Sequence, residues 1–225
     1  MTTVCEIYRA ETLPLSDPGL FGACLDRLPE IRRRKALTPR HEESRRLSLG
    51  AGLLLVLALE ERGIDGRSAG IAEGPYGKPY LPEHPEIHFS LSHSGTRVLC
   101  AVAGVPVGCD VERVGRGSEK LAVRFFHPEE REALNAEKDP EAWQRLFARI
   151  WTRKESRVKA DGTGISAPFS GFSALGDGGG YFYEDFFEDS PSGPVYSYSC
   201  CLPERPGSVL WRRVDLKEAF GPPER

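Results

Sequence analysis

A chain of 225 residues that is 40% hydrophobic and 28% charged can bury a core and has the composition of a soluble globular protein. Its formal net charge of −3 gives no bulk attraction for nucleic acid. The longest apolar stretch, residues 49–59, is far shorter than the roughly 20 residues that cross a bilayer, so no membrane span is expected.

The cysteines indicate a reducing compartment. The six thiols, at positions 5, 24, 100, 109, 200 and 201, form no Cys-x-x-Cys pair and show no metal-binding spacing. The N-terminus lacks the charged segment and apolar run of a secretory signal. We therefore expect six reduced thiols in a cytoplasmic protein.

A basic block lies in the first half, after a strand expected at Cys5–Tyr8 and a short helix expected over residues 20–28. The block could be the solvated face of a helix or a contact surface for nucleic acid. The next stretch, residues 47–59, is apolar nearly all round, which predicts a buried helix that begins near Thr38 and Pro39. The basic residues are Arg27, Arg32, Arg33, Arg34, Lys35, Arg40, Arg45 and Arg46.

A β-hairpin is predicted after a turn-rich, proline-rich segment. Residues 87–91 alternate between apolar and polar types, which indicates a strand, and residues 98–103 are its expected partner. Lys78, in the preceding Pro/Gly turn, is either a fixed point charge for a phosphate or an ordinary lysine at a turn. Ser92 and His93 either supply a hydroxyl and a ring N–H to the same ligand or only form the hairpin turn.

Two carboxylates share one face of the next predicted strand. After Gly104-Val105-Pro106, the expected boundary between two halves, apolar and polar residues alternate as far as Glu112. Asp110 and Glu112 are two residues apart and point to the same side. They repel each other unless a cation or a proton lies between them. The pattern is typical both of a solvated strand edge and of a site for a hard divalent cation.

A long amphipathic helix is predicted over residues 143–160. Its apolar residues recur at spacings of three and four, and Asp161-Gly162 supplies a helix terminator. Glu155 lies beside the apolar stripe, where Lys159 is its ordinary partner because Glu–Lys pairs four residues apart are favourable. Helix followed by strands occurs in both halves and favours an α+β fold. The other expected elements are a helix over 124–134 and strands at 169–174, 181–187, 195–201 and 209–214.

Two motifs together resemble the signature of the 4′-phosphopantetheinyl transferases. One is Gly108-x-Asp110, and the other is Trp151-x-x-Lys-Glu-Ser-x-x-Lys159, whose Glu155 stands 45 residues (155 − 110) after Asp110. The chain length, the two halves, the Gly-Lys-Pro turn and the Ser-His motif are similar to the Sfp type, the surfactin-synthetase-activating kind.

The resemblance covers about residues 30–170 and implies a fold. It implies two similar, pseudo-symmetric lobes, each a small antiparallel sheet packed on a long helix. The first lobe, residues 1–104, would hold the phosphates of coenzyme A. The second, residues 105–225, would hold the carboxylates and the catalytic helix. It further implies a monomer.

The resemblance also implies a metal and catalytic groups. Asp110, Glu112 and Glu155 would bind Mg²⁺, which prefers carboxylate oxygens with its other positions left to water and phosphate. Glu155, Lys159 and Glu130 would be catalytic. Lys159 would stabilise charge on the leaving group, and Glu130 or a metal-held water would take the proton of the acceptor serine. Alternatively, Glu130 is only an acid in the first turn of a helix, where acids are favourable.

The basic groups are assigned to coenzyme A by the same resemblance. Arg46 is a good match, and Arg33 or Arg34 is a looser one because the register is ambiguous there. Arginine suits phosphate because its planar fork binds two oxygens. Further contacts with coenzyme A are implied at Lys78, Ser92, His93, Asp110, Lys154 and Lys159.

The implied function is Mg²⁺-dependent transfer of the 4′-phosphopantetheine arm of coenzyme A to a serine of an apo acyl or peptidyl carrier protein, with release of adenosine 3′,5′-bisphosphate. No nucleic acid and no membrane is expected as a partner. Two other functions stay open: a non-catalytic binder of nucleotides or acidic partners, and a Mg²⁺-dependent phosphohydrolase. The first leaves the carboxylates without a role, and the second lacks a further Asp-rich motif.

Overall fold

The computed structural model describes residues 3–164, 169–176, 180–190 and 193–221, and these residues form an α+β fold, as predicted. The helices are α1 (Pro18–Leu25), α2 (Glu30–Leu37), α3 (Glu42–Glu60), α4 (Glu119–Phe125), α5 (Pro128–Ala136), α6 (Pro140–Asp161) and α7 (Leu216–Phe220). The strands are β1 (Val4–Glu11), β2 (Ala72–Glu73), β3 (Pro79–Tyr80), β4 (His88–Ser94), β5 (Arg97–Ala103), β6 (Gly108–Arg113), β7 (Phe182–Glu188), β8 (Tyr196–Leu202) and β9 (Ser208–Val214).

The first sheet has the order β4-β5-β1-β9 and carries α3 on one face. Its β4–β5 and β5–β1 pairs are antiparallel, whereas β1 and β9 are parallel. The sheet is therefore mixed, and not purely antiparallel as the resemblance implied. The physical cause is that β9 returns from the second half of the chain to the edge of the first sheet. The division of the chain at residue 104 stays a prediction.

Both faces of β1 are buried. Tyr8 and Ala10 pack in the core under α3, whereas Cys5 and Ile7 pack against the second sheet. Because both faces are covered, the side chains of β1 show no alternation of apolar and solvated positions. Helix α3 is buried on nearly all sides, as its composition predicted.

The second sheet has the order β6-β8-β7 and is antiparallel throughout. One face packs on the first sheet through Cys109, Val111 and Tyr198. The other face packs on α6, where the hydroxyls of Ser156 and Ser199 are 3.2 Å apart. The layers therefore run α3, first sheet, second sheet, α6, and β6 lies between α6 and the first sheet.

Three elements differ from the sequence prediction. Helix α3 begins at Glu42 and not near Thr38, because Thr38 ends a separate helix, α2, that contains part of the basic block. The helix expected over 124–134 is two helices, α4 and α5, because His127 is extended ahead of Pro128. Residues 169–171 form a 3-10 turn and not a strand.

All six cysteines carry free thiols, as predicted, and all six are buried. The turn expected over residues 176–180 includes residues 177–179, which lie outside the described residues. Within the described part of the chain, every helix is too short or too polar to cross a membrane.

Candidate functional site

The edge strands β4 and β6 of the two sheets meet through serine side chains. Every second residue of β4 over positions 90–94 is a serine, so the three hydroxyls point to the same side. They accept hydrogen bonds from backbone N–H groups of β6: Ser90 from Cys109 at 3.0 Å, Ser92 from Val111 at 3.4 Å and Ser94 from Arg113 at 3.3 Å. The serines thus satisfy N–H groups on β6 and fix the position of that strand beside the first sheet.

Helix α6 approaches β6 so closely that only glycine fits at position 108. A Cβ atom on Gly108 would lie 1.8 Å from the carbonyl oxygen of Ser156 and 2.4 Å from the backbone nitrogen of Ala160. This close approach brings the side chain of Lys159 onto Asp110. The Gly-x-Asp motif therefore has a packing reason as well as a chemical one.

Asp110 and Lys159 form the centre of the site. Asp110 Oδ1 accepts hydrogen bonds from Ser92 Oγ and from Lys159 Nζ, each at 2.6 Å. Lys159 Nζ also donates to Ser92 Oγ at 3.0 Å and to the carbonyl oxygen of Cys109 at 3.2 Å. The ordinary i,i+4 pair is not formed, since no ion pair joins Glu155 to Lys159 in the described residues. Burial lowers the pKa of Lys159, but Asp110, through its charge and its hydrogen bond, together with Cys109 and Glu155 shifts the pKa upward overall.

Two further carboxylates lie beside this centre. Burial raises the pKa of Glu155 to about 7, and the charge of Asp110 adds to the shift while Lys159 opposes it. Burial and the charge of Asp110 also raise the pKa of Glu112, although the Ser94 hydroxyl donates to its Oε2 at 2.8 Å. Burial and the charge of Asp110 therefore disfavour the ionised forms of both glutamates even with Lys159 nearby.

The donor set suits a hard divalent cation. The described residues contain no preformed cluster of three metal ligands. However, Asp110 Oδ2 is buried without a hydrogen-bond partner, and the ionised forms of Glu112 and Glu155 are disfavoured in the metal-free protein. A cation bound between carboxylate oxygens would remove both deficits. The three-carboxylate Mg²⁺ site stays a prediction that these side chains fit.

A cleft of about 350 Å³ runs beside the carboxylates. Glu155 and Lys159 line it from α6, together with Gly162 and Gly164 at the helix end. The other charged or imidazole side chains that line it are Arg32, Lys35, Lys78 and His93. Several cations in one cleft next to a carboxylate centre favour a ligand with several phosphates.

The arginines predicted to contact a phosphate lie elsewhere. Arg33 pairs with Asp26 at 3.2 Å, and Arg34 pairs with Glu30 at 2.6 Å with 77% of its side chain exposed. Arg46 lines a separate depression on the surface, formed by α1 and the start of α3. The structure does not bring these three arginines to the cleft.

Two other residues of the basic block, which the resemblance did not assign to coenzyme A, line the cleft instead. Arg32 is buried at the cleft wall, donates to the carbonyl oxygen of Ser48 at 3.2 Å and has no partner for its Nε. Lys35 lines the same cleft and lies 3.8 Å from Glu73. Arg32 shares the buried face of α2 with Ala36, four residues on. The sequence could have indicated that Arg32 and Ala36 share a buried face only if a helix had been predicted over residues 30–37.

Lys78 is fixed by backbone carbonyls. Its ammonium donates to the oxygens of Ala160 at 2.9 Å and Val107 at 3.2 Å, and burial lowers its pKa. The turn of the first half is thereby tied to the end of α6 and to the residue before β6. Because an ammonium has three N–H groups, one remains for a ligand in the cleft.

Glu130 and Lys154 lie apart from the carboxylate centre. They form an ion pair at 2.9 Å in which both side chains are 0% exposed. Neither group lines the cleft. The resemblance implied a catalytic role for Glu130, with an ordinary helix-end acid as the alternative, and a coenzyme A contact for Lys154; the structure brings neither residue to the cleft.

The chain is similar in sequence to proteins of one known family. Residues 106–200 match the model of the 4′-phosphopantetheinyl transferase superfamily. The chain is 40% identical over 134 residues to a 4′-phosphopantetheinyl transferase of Bacillus subtilis, in an alignment covering 59% of this chain and 58% of the relative. It is 34% identical over 145 residues to 4′-phosphopantetheinyl transferase Sfp of Bacillus subtilis strain 168, covering 64% of each. A third relative, HetI of Nostoc sp., is 37% identical over 131 residues, covering 56% of this chain and 55% of that one. The chain thus spans less than two thirds of the length of each of these relatives.

Proposed function

The chain is related by sequence to the 4′-phosphopantetheinyl transferases, and we propose that it transfers the 4′-phosphopantetheine arm of coenzyme A to a serine of an apo acyl or peptidyl carrier protein. The other product is adenosine 3′,5′-bisphosphate. In this reaction the serine Oγ–P bond forms, the P–O bond of the diphosphate breaks, and the serine proton leaves.

The observation that carries the proposal is the shared cleft. The same cavity that exposes Glu155 and Lys159 is lined by basic side chains from the first half of the chain. With coenzyme A lying along this cleft, the reactive phosphorus of its diphosphate would lie beside Lys159. Its other phosphates would lie against Arg32 and Lys35. One cleft can therefore hold both the nucleotide part and the reacting bond of coenzyme A.

Coenzyme A is bound mainly by charge in this proposal. Arg32 and Lys35 contact its phosphates in place of Arg33, Arg34 and Arg46. Arg32 has an unpaired Nε, and Lys35 is held only by a 3.8 Å contact with Glu73. His93 and the remaining N–H of Lys78 add a ring nitrogen and a point charge to the same cleft.

Asp110, Glu112 and Glu155 are the residues that would hold Mg²⁺. Bound there, the ion would neutralise negative charge on the diphosphate during transfer. The chain prepares this position itself: Ser92 and Ser94 orient the carboxylates through hydrogen bonds of 2.6 and 2.8 Å.

Lys159 stabilises the leaving group in this mechanism. Its side chain is 29% exposed, and its ammonium is held by Asp110, Ser92 and the carbonyl of Cys109. A fixed cation at this place contributes most where the leaving oxygen gains negative charge. The serine proton goes to water or to a carboxylate that faces the cleft, because Glu130 has no access to it.

The test is a transfer assay. Incubation with coenzyme A, Mg²⁺ and an apo carrier protein should add the mass of one phosphopantetheine arm to the carrier. Asp110→Ala should abolish the mass gain, while Glu141→Gln, on the exposed first turn of α6, should leave it unchanged. Absence of any mass gain with several acyl and peptidyl carriers would refute the proposal.

The same assay separates the alternatives. Release of inorganic phosphate from coenzyme A without modification of the carrier would indicate a phosphohydrolase. Binding of coenzyme A without turnover would indicate a non-catalytic binder. We further propose a cytoplasmic monomer with the coenzyme A contacts in residues 1–104 and the carboxylates in 105–225.

A further inference from the structure

The ion pair of Glu130 and Lys154 is the buried charged group that the proposed mechanism does not use. We infer that this pair is a positioning device, which sets the rotation of α6 so that Glu155 and Lys159 face Asp110. It is neither the base of the reaction nor a contact with coenzyme A. The inference rests on the proposed function for its effect on turnover, but its structural part can be tested without it.

All three N–H groups of the Lys154 ammonium and both oxygens of Glu130 have partners inside the protein. Glu130 accepts from the backbone N–H of Ala174 at 2.6 Å and of His127 at 2.7 Å, in addition to Lys154. Lys154 donates to the carbonyl oxygen of Phe169 at 2.6 Å and also to that of Phe172. A carboxylate with these partners and no exposed surface has no route to a substrate proton.

The pair connects three segments. Glu130 belongs to α5 and Lys154 belongs to α6. Apart from His127, which precedes α5, their backbone partners lie in residues 169–174, beyond the end of α6. The chain reaches that stretch after Gly162 and Gly164, which line the cleft. The pair therefore anchors the region that follows the cleft wall as well as the helix itself.

The geometry of α6 turns this anchor into a constraint on the site. Successive residues of an α-helix are about 100° apart around the axis, so Lys154 and its neighbour Glu155 point in different directions. With Lys154 held by α5 and residues 169–174, Glu155 is turned to the cleft, and Lys159 reaches Asp110. A change in helix rotation would move both cleft-facing groups together.

Aromatic rings keep water away from the pair. The ammonium of Lys154 lies 4.3 Å from the centre of the Phe172 ring, and Phe169 packs on Trp151 with their ring centres 5.9 Å apart. In such surroundings, removal of one charge leaves the other buried and unpaired, which disrupts the local structure. Loss of either partner should therefore have the same consequence.

The test compares Glu130→Gln, Lys154→Met and the double variant, with Glu129→Gln, an exposed neighbour on α5, as the control. A displacement of about 1 Å at a reacting group can lower turnover about 100-fold. We expect each single variant to lose turnover on that scale, and the double variant to be no worse than the poorer single one, because the two residues act as a unit.

Four readouts identify positioning. The amide of Ala174 should exchange hydrogen at least about tenfold faster in Glu130→Gln, since its charged acceptor is lost. The half-saturating Mg²⁺ concentration should rise in both single variants, because Glu155 is less well held. The pH limbs of kcat and the salt dependence of coenzyme A binding should stay as in the wild type. If Glu130→Gln does not fold, Glu130→Asp retains the charge but shortens its reach and should shift the same readouts in the same direction.

Other results would overturn the inference. Loss of a pH limb in Glu130→Gln with unchanged exchange at Ala174 would make Glu130 the base. Losses that multiply in the double variant, or a rise in the KM for coenzyme A confined to Lys154→Met, would give the two residues separate roles. If the wild-type protein transfers nothing, the proposed function fails, whereas unchanged exchange at Ala174 in Glu130→Gln would refute the anchor itself.

Discussion

Glu155→Gln should stabilise the metal-free protein at alkaline pH. Glu155 is crowded by Asp110 and Glu112, and burial with these charges raises its pKa from 4.5 to about 7. Above pH 7 the folded protein must carry an ionised group that its surroundings disfavour. Glutamine keeps the size and removes that charge.

The magnitude follows from the pKa shift. The shift of about 2.5 units corresponds to about 3 kcal/mol at about 1.4 kcal/mol per unit, and partial exposure of Glu155 lowers this to about 1–3 kcal/mol. The sign is fixed by linkage. Because the folded pKa is raised, the contribution of Glu155 to stability is full below pH 4.5 and is lost as pH rises through about 7.

The assay is urea unfolding in EDTA at pH 5 and pH 8. The variant should be close to the wild type at pH 5 and more stable by about 1–3 kcal/mol at pH 8. Glu141→Gln, on the same helix with a side chain 77% exposed, should change stability by less than about 0.5 kcal/mol at both pH values. Addition of Mg²⁺ at pH 8 should stabilise the wild type and not Glu155→Gln. No gain at pH 8, or an equal gain at both pH values, would refute the electrostatic account of the carboxylate cluster.

Three further outcomes are expected. Lys35→Gln should weaken coenzyme A binding about three- to fivefold in calorimetry, whereas the same change at the exposed Arg34 should not; equal effects would contradict the placement of α2 at the cleft. Burial alone would raise the pKa of Glu188, but Tyr198, Arg97 and Arg9 shift it downward overall. The ionised Glu188 therefore stabilises the protein at neutral pH, and this contribution should be lost as pH falls below about 4.5. The free energy of unfolding, measured from pH 6 to pH 3, should therefore fall less steeply with pH in Glu188→Gln than in the wild type. Gly108→Ala should destabilise the protein by about 3 kcal/mol, because the added Cβ would overlap the backbone of α6. A melting temperature within roughly 1–2 °C of the wild type, as for an ordinary surface substitution, would show that the helix can move away.

Several elements could be predicted because their signals are local. The apolar surface of α3, the stripe of α6 and the β4–β5 hairpin each follow from the spacing of residues within one element. The side-by-side placement of Asp110 and Glu112 also follows from strand periodicity. The split between α4 and α5 was readable in principle from Pro128, since the residue before a proline avoids helical geometry.

The choice of partners was decided by tertiary structure. Lys159 has a favourable local partner in Glu155, yet it pairs with Asp110 because Gly108 lets α6 lie against β6. Glu130 in the first turn of a helix looks like an ordinary helix-end acid, and only packing shows that it is paired with Lys154. A sequence records which groups can be charged, but burial and distance determine which opposite charge each one meets.

The cleft shows the same division. Sequence alone determined that the chain has a basic block, a Ser-His motif and two carboxylate motifs, since these are residue types at fixed spacings. Which arginine faces the cleft depended on the register of α2, whose weak apolar signal left that register open. The parallel pairing of β9 with β1 could not be predicted from the sequence either, because pairing between strands some 200 residues apart leaves no local periodicity. Periodicity fixes the faces of an element, and only the packing of distant segments decides what covers each face.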